Sequence, residues 1–247
     1  MKTTSLQSAL LACTLLACGL APAAQDERIS SGPVALSPPL LNGLSDPVLQ
    51  LPGREFKSGD GWWSLACAGA ACRIGAASLT VTPHALGQAL RWLPAPAAGT
   101  LLMFKPFRAP ANAIRLVAGP VKTYYPGARA SKAAADWSVA LPDGVSMRLH
   151  PMSPKDRGGA PQALELRIGA LRQLLPPLGF NGEYAQHAGD HVVWVGDLDG
   201  DGKPDLIVKT DESPGDDFVL LLSSFAKPGQ LVGEAGRFKY FPADYPG

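Results

Sequence analysis

Trp137-Ser138-Val139-Ala140-Leu141, then Pro142-Asp143-Gly144, then Val145-Ser146-Met147-Arg148-Leu149, reads as two strands joined by a three-residue turn. Pro142 presets the first turn dihedral, and Gly144 supplies the positive φ that closes the loop. The same grammar recurs on both sides. Short apolar runs alternate with Gly and Pro punctuation at Trp62 to Cys67, Ser78 to Thr82, Leu101 to Phe104, Ala113 to Val117 and Val121 to Tyr125. Towards the C-terminus they continue at His191 to Val195, Leu206 to Val208 and Phe218 to Leu222. Leu164, Ile168, Leu171 and Leu175 would line one helix face, but Leu164 to Ile168 also alternates as a strand does, and Gly169 weakens a helix interior. A strand is the expectation there. Repeated short strands of this kind predict an all-β fold, mainly antiparallel, either a sandwich or barrel-like.

The organisation along the chain follows from composition. Lys2 is the lone charge before Asp26, and Ser8 to Leu20 is apolar and too short to span a bilayer comfortably. Residues 1–23 therefore read as a signal peptide, and the protein as exported to the periplasm or secreted. Ala21-Pro22-Ala23 suits signal peptidase and a soluble product, whereas Leu15 to Gly19 resembles a bacterial lipobox that would leave a lipid anchor on Cys18. Residues 24–60, rich in Pro, Ser and Gly, predict an extended and partly disordered entry segment. A β domain over 61–176 and a C-terminal β module over 177–247 follow, with Pro177 to Gly182 as a weak break that allows one unit instead. Loss of Lys2 leaves 21 basic against 21 acidic residues. A balanced chain has no electrostatic footprint for nucleic acid or anionic lipid. No later segment is apolar enough for a transmembrane helix.

Cys13 and Cys18 fall within the leader, which leaves Cys67 and Cys72. In an oxidising compartment these two pair, because four small residues between them suit a hairpin tip whose facing positions come close. A redox role would want Cys-x-x-Cys spacing in a thioredoxin-like context.

The chemistry concentrates in Asp197-Leu198-Asp199-Gly200-Asp201-Gly202-Lys203-Pro204-Asp205. Acids at positions one, three, five and nine, with Gly at six, suit a hard cation that takes ~6–8 oxygen ligands. Asp197, Asp199 and Asp201 would each give a carboxylate oxygen, Lys203 its backbone carbonyl, and Asp205 an oxygen directly or through water. Without a cation the four carboxylates repel one another, so the empty loop should be loose. The plain alternative is an acid-rich turn that binds nothing. Val208 occupies position twelve, where an EF-hand needs a bidentate Glu, and β-branched runs flank the loop in place of helices. The stretch instead resembles the calcium loop of the FG-GAP/VCBS repeat family, Asp-x-Asp-x-Asp-Gly-x-x-Asp between strands. That resemblance implies Ca²⁺ as the ion. Such repeats often build β-propellers in secreted and surface proteins, but a single copy is found here.

Other candidates carry weaker signals. His187 and His191 flank a short turn and offer two ligands for Zn²⁺ or a pH response, against a reading as ordinary turn histidines. Glu165 and Glu183 are candidates for a glycosidase carboxylate pair. Trp62 and Trp63 point to opposite strand faces, one towards a core and the other free to stack on a sugar or anchor an interface. Asp211, Glu212, Asp216 and Asp217 read as a solvated acidic loop. Three functions remain in view: a calcium-stabilised structural or interaction module of a bacterial envelope with a protein or glycan partner, a secreted or periplasmic hydrolase, and a carbohydrate-binding module.

Overall fold

The computed structural model describes residues 30–31, 34, 36–37, 59–84, 87–91, 99–105, 116–127, 136–152, 163–175, 188–212 and 215–239. Its strands are β1 (Ser30–Ser31), β2 (Leu36–Ser37), β3 (Gly59–Ala68), β4 (Ala71–His84), β5 (Gly87–Arg91), β6 (Thr100–Phe104), β7 (Gly119–Tyr125) and β8 (Trp137–Ala140). They continue with β9 (Ser146–Met152), β10 (Ala163–Ile168), β11 (Leu171–Leu174), β12 (Val192–Asp197), β13 (Asp205–Glu212), β14 (Gly215–Leu222) and β15 (Gly233–Lys239). Two short 3₁₀ turns, Ala188–His191 and Ser223–Phe225, are the helical content among the described residues. The protein is all-β, and every strand pairing among the described residues is antiparallel.

The hairpin of β8 and β9 forms as the turn chemistry dictates. Leu141 N–H donates to Val145 O at 2.8 Å, Gly144 N–H donates to Leu141 O at 3.0 Å, and Gly144 takes φ +78°. Asp143 braces the turn by accepting from Val145 N–H at 3.1 Å. Leu164 to Ile168 is strand β10, and Gly169, at φ +58°, turns the chain straight into β11. Four strands thus make a small sheet in the order β11-β10-β9-β8.

The large sheet runs β1-β15-β14-β13-β12-β7-β4-β3-β6-β2, with β5 beside β4. Its two ends, β1 and β2, are separated by four residues of chain. A connection that short spans at most roughly 18 Å, so the sheet must curl until its edges approach. Val34, between them, is buried and donates its N–H to Ala235 O at 2.9 Å. Strands from both sides of residue 177 share this sheet, β7 pairing with β12.

The curl produces two cores. Inside it, Trp62, Leu65, Leu102, Phe104, Trp194, Ile207, Phe218, Leu220 and Phe238 pack together. On the outer face, Leu206, Val208, Val219 and Leu221 pack against Met147, Leu149, Leu164 and Leu166 of the small sheet. Alternate residues of β13 and β14 therefore serve different cores. This explains why Leu206 to Val208 and Phe218 to Leu222 are unbroken apolar runs: a strand buried on both faces has no polar side.

Cys67 and Cys72 form a disulfide at a facing pair of the β3–β4 hairpin, with Cα atoms 4.0 Å apart. Gly69, at φ +60°, turns the two-residue loop beyond them. Other expectations shift. Leu116 and Val117 lie outside any strand, while Ala113 to Arg115 fall outside the described residues. Asp211, Glu212 and Asp216 belong to the strand ends of the β13–β14 hairpin rather than to an extended loop. β5 and β15 were not anticipated, because Gly87–Arg91 and Gly233–Lys239 lack an apolar run. The leader, Cys13 and Cys18 lie outside the described residues.

Gln173 of β11 clasps the sheets together. Its Oε1 accepts from Leu231 N–H at 2.6 Å and Val232 N–H at 3.0 Å, and its Nε2 donates to Val232 O at 2.8 Å. Gln173→Ala strands these backbone groups and is expected to cost about 1–3 kcal/mol. Urea unfolding checks this: the midpoint should fall with an unchanged m-value, and an unmoved midpoint would show that the clasp adds nothing.

Candidate metal centre

Asp197 ends β12 and Asp205 opens β13, so the nine-residue acidic stretch is the connection between two paired strands. Gly200 and Gly202 sit at φ +76° and +85°, which residues with a Cβ rarely adopt, and they let the loop fold back sharply. Leu198 is buried in the inner core and pins the loop from below. One oxygen from each of Asp197, Asp199 and Asp205 then lies within 4.8 Å of the others. Oxygens about 2.4 Å from a shared Ca²⁺ stand no more than about 5 Å apart, so the three fit a single ion.

Each carboxylate is oriented by the backbone. Asp205, fully buried, accepts from Leu198 N–H at 2.7 Å and from Ser223 N–H at 2.8 Å. Asp197 Oδ2 accepts from Gly202 N–H at 3.1 Å, and Asp199 Oδ1 from Asp201 N–H at 3.2 Å. Asp199 Oδ2 also accepts from the Ser224 hydroxyl. Asp201 lies outside the trio: its oxygens accept from Lys203 N–H at 2.8 Å and from Ser223 Oγ at 2.7 Å. Lys203 is exposed. Asp197 Oδ1 differs from all of these, being buried without a hydrogen-bond partner among the described residues. A buried carboxylate oxygen left so is costly unless a cation satisfies it.

The electrostatics agree with the geometry. Burial pushes the Asp205 carboxyl well above the ordinary range, and the Asp199 charge pushes the same way against the N–H groups of Ser223 and Leu198. Asp199 is raised by burial and by the Asp201 charge, opposed by the Ser224 hydroxyl. Asp197 is raised by burial, with Gly202 N–H opposing and the Asp201 charge adding. Negative charge is thus disfavoured in all three until something positive arrives. Protons and a metal ion compete for that role. All donors are hard oxygens, which suits Ca²⁺, Mg²⁺ or Mn²⁺ rather than soft-ligand metals.

Ser223 and Ser224, in the 3₁₀ turn after β14, were missed from sequence. They follow an apolar strand, and nothing in their spacing shows that β14 delivers them to the loop. The remaining candidates resolve differently. His191 is buried in the other 3₁₀ turn with Nδ1 3.0 Å from Lys209 O and stands apart from the aspartate trio, while His187 is outside the described residues. Glu165 is held by Arg167 through bonds of 2.7 and 3.1 Å, and that pairing keeps its carboxyl below the usual range, the opposite of a poised general acid. Glu183 falls outside the described residues. Trp62, Trp137 and Trp194 are buried, which removes them as sugar platforms, and Trp63 is half-buried against the inner core.

No protein-family model, curated protein or solved structure matches the chain. Fold and site define it as a disulfide-bonded all-β protein with a three-aspartate cluster able to hold a metal ion.

The raised carboxyls set a pH dependence. Below about pH 4 both folded and unfolded chains hold these protons, and no penalty exists. As pH rises the unfolded chain ionises first, so the metal-free protein loses stability until the raised folded values are passed. Unfolding in EDTA at a series of pH values should show this decline, and Asp205→Asn should make it shallower. Equal slopes for the two proteins would remove Asp205 as its source.

Proposed function

We propose that the chain is an exported protein whose β scaffold is held by Ca²⁺ bound to Asp197, Asp199 and Asp205, with the Lys203 carbonyl and water completing the shell and Asp201 bracing the loop through Ser223. It serves as a structural or interaction module of a bacterial envelope, towards a protein or glycan partner. One observation carries the reading: three converging carboxylates, one with a buried oxygen that has no hydrogen-bond partner among the described residues. The choice of Ca²⁺, and the likeness to FG-GAP/VCBS loops, rest on the spacing of acids and glycines. The role of the ion as a brace is supported by what the loop touches. Asp205 ties it to the turn after β14, and Leu198 ties it to the inner core. Export is supported by the leader-like residues 1–23 and by the Cys67–Cys72 disulfide, since such bonds persist in oxidising compartments. Among the described residues no helix is long and apolar enough to cross a membrane.

A Ca²⁺ titration followed by melting temperature tests this. At about a hundredfold excess over Kd, binding adds about 2.7 kcal/mol. For a chain of this size that is a rise of about 5–10 °C. EGTA should reverse it, Asp199→Ala should remove most of it, and Mg²⁺ should give little because it demands a tighter octahedral shell. Identical melting with Ca²⁺ and with EGTA would overturn the proposal.

A further inference from the structure

Beside the aspartate loop, between the two sheets, lies a groove of about 340 Å³. Its volume falls in the range that holds a small ligand. Four parts of the chain build it. β7 provides Lys122 and Tyr124, the metal loop provides Gly202 to Pro204, and the small sheet's turn and strand provide Leu141, Pro142, Asp143 and Ile168, with Leu231 closing one side. The walls are therefore mostly apolar.

The charge on these walls is lopsided. Lys122 and Lys203 are both exposed, and neither makes an ion pair among the described residues. The Lys122 ammonium rests 5.7 Å from the centroid of the Tyr124 ring. Asp143 is the acid on the wall, and one of its oxygens already braces its own turn through Val145 N–H. Lys122 also stands opposite Asp197 in the β7–β12 register. A divalent ion on the aspartates neutralises that neighbour and leaves both ammonium groups with charge to offer.

We propose that this groove binds a small monocarboxylate with an apolar body, such as an aryl-alkanoic acid or an apolar peptide C-terminus. The carboxylate sits between Lys122 and Lys203, and the body lies against Leu141, Ile168, Pro204 and Leu231. The proposal rests on the metal reading in one respect: Lys203 and Pro204 belong to the aspartate loop, so an ion that orders the loop orders one wall. Ion and carboxylate then raise each other's affinity by the same factor.

Calorimetric titration of the full chain with phenylpropionate and its neutral amide, in Ca²⁺ and in EGTA, tests this. The acid should bind at least about tenfold tighter than the amide, and Lys122→Ala and Lys203→Ala should each weaken it about three- to fivefold. Lys122→Ala should keep a Ca²⁺ melting response at least as large as that of the parent. N-acetyl-leucine and its amide form the second pair, and tighter binding of acetyl-leucine than of phenylpropionate assigns the groove to peptide C-termini. Equal binding of acid and amide, no binding of either acid in Ca²⁺, or an unchanged affinity in Lys122→Ala would overturn the proposal. Acid binding without any Ca²⁺ effect on melting would keep the groove and sink the metal reading.

Discussion

A carboxylate buried to the last atom at the start of β13 is the constraint around which this molecule is arranged. Asp205 gives up its hydration and receives two backbone N–H groups in return, one from Leu198 in its own loop and one from Ser223 beyond β14. Those bonds fix the loop against the turn that follows the neighbouring strand. They offset the desolvation only in part, because Asp199 and Asp201 add negative charge from the same side. The imbalance disfavours the charged form of Asp205, a penalty that a bound cation would relieve.

The position of that carboxylate matters because β13 and β14 belong to both cores. Ile207, Phe218 and Leu220 face inward, while Leu206, Val208, Val219 and Leu221 face the small sheet. Anything that loosens the start of β13 is felt on both sides of the sheet. The groove shares this dependence, since one of its walls is the loop and another is the small sheet's turn. Lys203 and Pro204 thus belong both to the acidic loop and to the groove wall, which is how the proposed ion and the proposed ligand would be coupled.

Much of the strand pattern could be read directly. Pro142-Asp143-Gly144 specified its own turn, because Pro, Asp and Gly each restrict or permit dihedrals without help from distant residues. Cys67 and Cys72 found one another for a similar reason, being separated by a tight turn. β15 was invisible because Gly233–Lys239 carries charged and small residues, and its strand form comes from pairing with β14 and β1. Ser223 and Ser224 were equally hidden: a hydroxyl gains a function there only when the fold brings it to a carboxylate.

Local chemistry, then, determined the all-β class, the hairpin turns, the disulfide and the position of the acidic loop, since each depends on residues a few places apart. Tertiary structure alone decided that the large sheet curls until its two ends, β1 and β2, approach one another. It also decided that three of the four aspartates share a centre while Asp201 turns to Ser223, and that two lysines overlook one groove. These outcomes depend on register and burial between strands far apart in the chain. No spacing of residues along a strand encodes which distant strand it will lie beside.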